Sequence, residues 1–530
     1  MNLVLMLTFS IAGLLFFGTG YALHRWRPED RRSRWWYLPP LLLWMAFCVS
    51  FLKWLNVPHL DWNAARLTVG VAWGHGTEVF TFAGDGPFLC AAYGPLMPIL
   101  YSPAALFKTP TVVLLAGGFL SVLYFFVPAF VLLWPKKDDD PDRRMWSFCT
   151  IALCVMLTHI LAGLNYQAYA IHVDGAAIGF CVLACWCLLR RQRPDDLPWL
   201  WLSATCIVLA GSCKQIAAPI AIVLPCYVWI LNGWRTALRY AVLLGITAVA
   251  FALLWHLIFD LRTVWYCIVT VPLRFPKGPE FFENLYNVGK KIKWTLPWLV
   301  AGCFFGVGSL RATGGLRNWL RQPWVLLFLA GVAVAPTSIR AMQVYNGSTN
   351  SLHCQALWML SFCLLFREHA LEMKSIAFRQ VAKTVLILMM VVTFVVAGLK
   401  HYRRVKKEAR GAYFENRREQ AYRCAKAYPG QFLFPWEPLS TLLADGRAYH
   451  FDYGIHAQEL AKQTVDRKTQ LDPFVPPQLR AIVYIPNQKR YLLAHYPEYS
   501  RRVVLPELPG FEVFIRASDP GFDRPPSGNP

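Results

Sequence analysis

Apolar runs of roughly 17 to 25 residues, each long enough to cross a hydrocarbon layer about 30 Å thick, recur from Leu3 to about Leu399 and are separated by short polar stretches. Their positions predict spans near 3–23, 36–56, 111–134, 147–164, 176–190, 198–213, 216–231, 239–259, 295–310, 323–340, 352–366 and 383–399, about twelve crossings. One segment breaks the pattern. "YGPLMPILYSPAALF" (93–107) is apolar but short and carries Pro95, Pro98 and Pro103, so it predicts an interfacial or re-entrant helix.

Beyond Lys400 the texture changes. A basic run (His401 to Arg410) leads into a helical pattern that ends near Tyr428. A second helix is expected over 455–465, and "AIVYIP" (481–486) and "FEVFIR" (511–516) alternate as strands do. The chain therefore divides into a transmembrane domain, 1–400, and a soluble domain, 401–530. The expected fold class is an all-α polytopic membrane protein with a small α/β C-terminal domain.

Charge then sets orientation. Arg25, Arg27, Arg31, Arg32 and Arg34 crowd the first connection, which places that connection in the cytoplasm and the N-terminus outside. Alternation from there puts the tail on the extracytoplasmic side of a bacterial-type plasma membrane. The net charge of +22 sits largely in short loops beside apolar spans, where it orients helices, so nucleic acid is not an expected partner. The fifteen cysteines fall almost wholly within spans, with no CxxC pair and no zinc spacing. The first span lacks a basic leader and a cleavage site, and reads as a retained helix.

Ionised carboxylates near a bilayer are expensive unless paired, hydrated or bound to a cation. In the outer loops of the first half they are few: Asp61, Glu78, Asp85 and Asp174. Of the eight histidines before residue 400, six fall at outer ends or loops: His59, His75, His159, His172, His256 and His353. Cations are scarce there too, yet Lys214 and Gln215 occupy a tight outer turn, and Arg340 precedes Asn346, Asn350 and His353. Cations at a low-dielectric rim suit a phosphate at headgroup depth. Plainer roles fit the same residues. Asp61 in "DWNA" and Asp174 before Ala176 have helix-capping chemistry, Lys214 can snorkel, and Arg340 can cap a helix C-terminus.

Three features together resemble the GT-C fold glycosyltransferases, in particular bacterial relatives of dolichyl-phosphate-mannose-dependent mannosyltransferases and aminoarabinose transferases. They are Asp61 in "LDWNAA" followed by the "YGPL" segment from Tyr93, Asp174 in "HVDG", and the "KQ" turn at Lys214–Gln215. The order fits across roughly residues 36 to 400. The chain departs from the better-known members in having a single Asp61 in place of an acidic pair and an extra N-terminal span.

The resemblance implies an inverting, lipid-phosphate-dependent hexosyltransferase. Its sugar donor would be a polyprenyl-phosphate sugar, and its acceptor a glycan, lipid or protein. Asp61 would be the catalytic base; Asp174, with His172 and Asp61, would bind a divalent metal ion. Lys214, Gln215, Arg340 and His353 would hold the donor phosphate. Alternatives from other classes are a lipid-linked sugar flippase or transporter, which tends to carry midplane charges and inverted repeats, and an O-antigen ligase or polymerase, for which the basic loop 260–294 with Arg262, Arg274, Lys277 and Lys290 is the candidate.

Overall fold

The computed structural model describes residues 38–60, 62–89, 91–191, 193, 196–275, 286, 315–342, 353–369, 376–410 and 413–518. The spans expected at 3–23 and 295–310 lie outside these residues. Elsewhere the chain is mostly helical: α1 Leu38–Trp54, α2 Asn63–Gly74, α3 Leu96–Tyr101, α4 Pro110–Leu133, α5 Pro141–Ile160, α6 Ala162–Tyr169, α7 Val173–Arg190, α8 Leu197–Cys213, α9 Ile220–Asn232, α10 Trp234–Phe259, α11 Leu261–Trp265, α12 Pro323–Met342, α13 His353–His369 and α14 Ile376–Arg410. Among the described residues five helical stretches are long and apolar enough to cross a membrane: Leu38–His59, Pro110–Leu133, Val173–Arg190, Gln215–Asn232 and Trp234–Phe259.

Three departures from the sequence pattern have local causes. The single crossing expected at 147–164 is broken where Leu161 turns extended (φ −82°, ψ 103°), and α6 starts anew. The crossing at 383–399 and the basic run after it form one 35-residue helix, α14, about 50 Å long. The stretch after Asp260, expected as a loop, is helical: α11, a π-helical turn at Tyr266–Thr270 and a last turn to Leu273.

Chain contacts group into two compact units. The first comprises 1–56, 121–251 and 277–409. In it α1 and α13 pack on α5, α7 packs on α8, and α12 packs on α13 and α9. Its core is a continuous apolar cluster, with Val49, Cys149, Ala152, Cys185 and Cys363 fully buried. Lipid tails are as apolar as leucine, so helices associate where small residues let backbones meet. Gly175 and Gly179 of α7 do this: a Cβ at Gly175 would stand 2.9 Å from the Gln167 carbonyl oxygen, and one at Gly179 would strike the Tyr124 carbonyl.

The second unit comprises 57–120, 252–276 and 410–530. Its tail carries α15 Arg417–Ala427, β1 Phe432–Leu433, α16 Pro438–Asp445, α17 Asp452–Leu460, β2 Ala481–Tyr484, β3 Arg501–Val503 and β4 Glu512–Ile515. The strands form one sheet in the order β1-β2-β4-β3, with β1 parallel to β2 and the other pairs antiparallel. Alternate residues face opposite sides of a strand. Phe432, Ala481, Val483, Val513 and Ile515 pack with Ala421 and Cys424 of α15. Leu433, Ile482, Tyr484 and Phe514 share their cluster with Tyr449, Ile455 and Phe88. Phe88 belongs to the first large loop, so that loop supplies part of the core beneath the tail's sheet.

Candidate functional site

Among the described residues Asp174 is the most deeply set acid of the first unit, fully buried near the start of α7. His172 makes that start: its extended backbone (φ −160°, ψ 143°) forms the N-cap and its Nδ1 accepts the Asp174 N–H at 3.3 Å. The carboxylate therefore sits in the first turn, where the unpaired N–H groups favour a negative charge. Gly175 follows directly and lets the turn lie against neighbouring backbone.

Two further elements complete the cluster. Lys214, in the turn between α8 and the 3-10 turn Gln215–Ala217, donates from Nζ to Asp174 Oδ1 at 2.6 Å. His353, the first residue of α13 and 1% exposed, lies 2.9 Å from the same oxygen through Nε2. A carboxylate only accepts, so this nitrogen carries the hydrogen. His172 Nδ1 stands 3.1 Å from Oδ2; deprotonated it caps α7, and protonated it donates to the carboxylate.

The group sets one carboxylate against one ammonium and two imidazoles. Asp174, His172, Lys214 and His353, dispersed over 182 positions of sequence, come together. Gln215, next to Lys214, is exposed instead. Arg340 lies in the last turn of α12, with its side chain outside the described residues, as are Asp61, Asn346 and Asn350.

Of the residues expected to hold a divalent cation, Asp174 and His172 come together, while Asp61 lies outside the described residues. Asp174 Oδ1 is taken by Lys214 at 2.6 Å, whereas Oδ2 is buried 3.1 Å from His172 Nδ1 with no hydrogen-bond partner among the described residues. Among the described residues no group of three or more His, Cys, Asp or Glu is placed to hold a metal ion.

The second unit explains how the chain before Asp61 is held. Arg418 of α15 is 1% exposed, although arginine is rarely buried unless paired. Its guanidinium donates to the Pro58 carbonyl and, at 2.9 Å, to the Leu60 carbonyl, while Nε lies 3.0 Å from Glu437 Oε2. Glu419 accepts the Thr111 N–H at 2.8 Å, and Asn416 donates to the Thr111 hydroxyl at 2.9 Å. Trp62, beside Asp61, meets Trp436, Phe451 and Tyr453 edge-on at 5.7, 5.8 and 5.0 Å. α2, which continues the chain, packs on α16. Nothing in "NRRE" (416–419) distinguishes Arg418 as the clamp, because its partners lie 358 and 360 positions away.

His450 adds another tie. Nδ1 accepts the Phe88 N–H at 3.0 Å, and Nε2 meets the Leu471 carbonyl at 3.1 Å. Burial pushes its pKa down to about 4, so the ring is neutral with the hydrogen on Nε2. Asp452, two residues on, accepts from Leu492 N, Tyr491 N and the Tyr484 hydroxyl, yet burial pushes its carboxyl up to about 6.

No protein-family model matches the sequence, and no curated protein matches it. Solved structures do. The structure described as ArnT from Cupriavidus metallidurans bound to undecaprenyl phosphate is similar, with a TM-score of 0.55 and 13% identity over 89% of this chain and 97% of that one. The apo state of the same protein is similar with a TM-score of 0.52, 15% identity and the same coverage. At this identity the likeness establishes the fold: the chain has the GT-C architecture of ArnT, as the sequence resemblance implies.

Proposed function

We propose that the chain is an integral membrane glycosyltransferase that moves a sugar from a polyprenyl-phosphate donor to a glycan, lipid or protein acceptor at the outer face of the plasma membrane. The observation that carries this reading is the fold likeness, over nearly the whole of both chains, to ArnT bound to undecaprenyl phosphate.

In this reading Asp61 takes the proton from the acceptor's hydroxyl or amine as that atom attacks the anomeric carbon. The bond to the polyprenyl phosphate breaks on the opposite side, and the configuration inverts. Arg418 contributes by holding the carbonyls at 58 and 60, which limits the motion of the peptide that carries Asp61. Lys214 serves the leaving group. An ammonium has three N–H donors, so it can meet Asp174 and a phosphate oxygen together and match the charge that develops there. Asp174 and His353 orient that ammonium. A chelator tests the divalent metal expected at Asp174: loss of rate restored by a divalent ion would support it, and an unchanged rate would reject it.

The test of the base is Asp61→Asn in purified full-length protein in nanodiscs, supplied with labelled polyprenyl-phosphate sugar and envelope acceptor. Transfer should fall by about 10²-fold or more while the donor is still retained. Turnover equal to the parent protein would remove Asp61 from the mechanism.

A further inference from the structure

A second set of buried polar side chains gathers within the first unit, away from any described acid. α1 brings Ser50 and Lys53, three positions apart and so on one helix face. The last turn of α5 brings His159, the end of α6 Tyr169, and α14 His401. The Tyr169 hydroxyl donates to Ser50 Oγ at 2.6 Å, and both oxygens approach His159 Nε2, at 3.1 and 3.3 Å. The His159 and His401 rings are 5.4 Å apart.

The charges here do not balance. Lys53 is 9% exposed and forms no ion pair with an acidic side chain among the described residues. His401 is 6% exposed, and its Nε2 is buried with no hydrogen-bond partner among them. The charged groups acting on Lys53 are Arg404 and Lys400 of α14, both cationic. A buried ammonium normally needs a paired anion and satisfied donors to offset its desolvation. Ser50 and Tyr169 are spent on each other and on His159, which leaves Lys53 and His401 as the donors for an incoming group.

We propose that Lys53 and His401, flanked by Lys400 and Arg404, form a phosphate-binding site distinct from the Asp174 cluster. A phosphate offers acceptor oxygens on several sides, so one group can take the lysine ammonium and the imidazole N–H together and neutralise the surplus charge. The helix-end position suits the phosphate of an anionic lipid headgroup, and inorganic phosphate carries the same chemistry. The proposal does not depend on what the chain transfers.

The test is native mass spectrometry of the purified full chain, titrated with phosphatidylglycerol, inorganic phosphate or uncharged diacylglycerol. Phosphatidylglycerol should be retained and diacylglycerol not. Lys53→Met should weaken retention roughly tenfold, the worth of one charge-assisted contact, and His401→Gln should weaken it by less. Retention of inorganic phosphate that competes with the lipid identifies the free ion as a ligand; retention of the lipid alone identifies the headgroup. A structural role is separated by melting temperature. Phosphatidylglycerol should raise it in the parent but not in Lys53→Met, and the lipid-free variant should melt no lower than the parent. Both variants keeping parental retention of both probes, or Lys53→Met melting lower by the same amount with and without lipid, would overturn the proposal.

Discussion

Asp174 and Lys53 are both ionic side chains buried at helix ends in the same unit, and their surroundings treat them in opposite ways. Asp174 is met by an ammonium and two imidazoles, so its charge is compensated within the fold. Lys53 has no acidic partner among the described residues, and the charged groups acting on it, Lys400 and Arg404, are cationic and exposed. A low-dielectric interior makes an uncompensated charge cost several kcal/mol. The balanced cluster is thus held together by its own chain, whereas the unbalanced one gains most from an anion supplied from outside.

Stability should separate the two most sharply. Lys214→Met leaves the Asp174 carboxylate buried without its ammonium and should destabilise the first unit by about 3–5 kcal/mol, read as a fall in melting temperature; Asp174→Asn in the same chain should recover much of it. Lys53→Met, which removes a charge that has no acidic partner, should cost nothing comparable. Equal losses from the two lysine variants would erase the distinction.

The clamp of the second unit extends the comparison, because Arg418, like Asp174, is buried and paired with an opposite charge. Arg418→Met should leave Glu437 with Arg417 as its remaining cation and free two carbonyls, a loss of about 3 kcal/mol, with faster amide exchange over 57–60 than elsewhere in the unit. Exchange unchanged there would show that other contacts hold the loop.

His450 and Asp452 form a pair opposed in pH. The folded state lowers the His450 pKa to about 4, below its unfolded value, so its contribution to stability falls as pH drops from about 6.5 to 4. Asp452 is raised to about 6, so its contribution grows as pH falls through that value toward about 4. The two largely cancel in the parent chain. Asp452→Asn should make the second unit lose about 2–3 kcal/mol on acidification over that range, and His450→Gln should make it gain a similar amount. Exchange measured at several pH values reads the sign; the same slope in both variants would contradict the assignment. The smallest effect is expected at Gly175→Ala, whose Cβ would press on the Gln167 carbonyl and cost about 1–3 kcal/mol.

Several of the spans and the residues of the Asp174 cluster are legible in the sequence for one reason: charged residues are rare in an apolar chain, so Asp174, Lys214 and His353 stand out before any contact is known. The strands at 481–484 and 512–515 are legible through their alternation. β3 is not, since "RRV" is an edge strand with charged residues, and α2 is hidden because "NAARLTVGVAWG" follows a polar stretch that reads as loop. The Arg418 clamp and the placing of Lys53 and His401 in one cluster around His159 leave no local trace. Each joins segments some 350 residues apart, and an arginine in a basic tail or a lysine at a helix end is ordinary in isolation.

The central claim concerns the donor, and the lipid pool of living cells reports on it most directly. Cells lacking the chain should accumulate a polyprenyl-phosphate sugar, identified by mass in lipid extracts, and re-expression of the parent protein but not of Asp61→Asn should clear it. An unchanged pool in deleted cells whose envelope glycans are also unchanged would contradict the account.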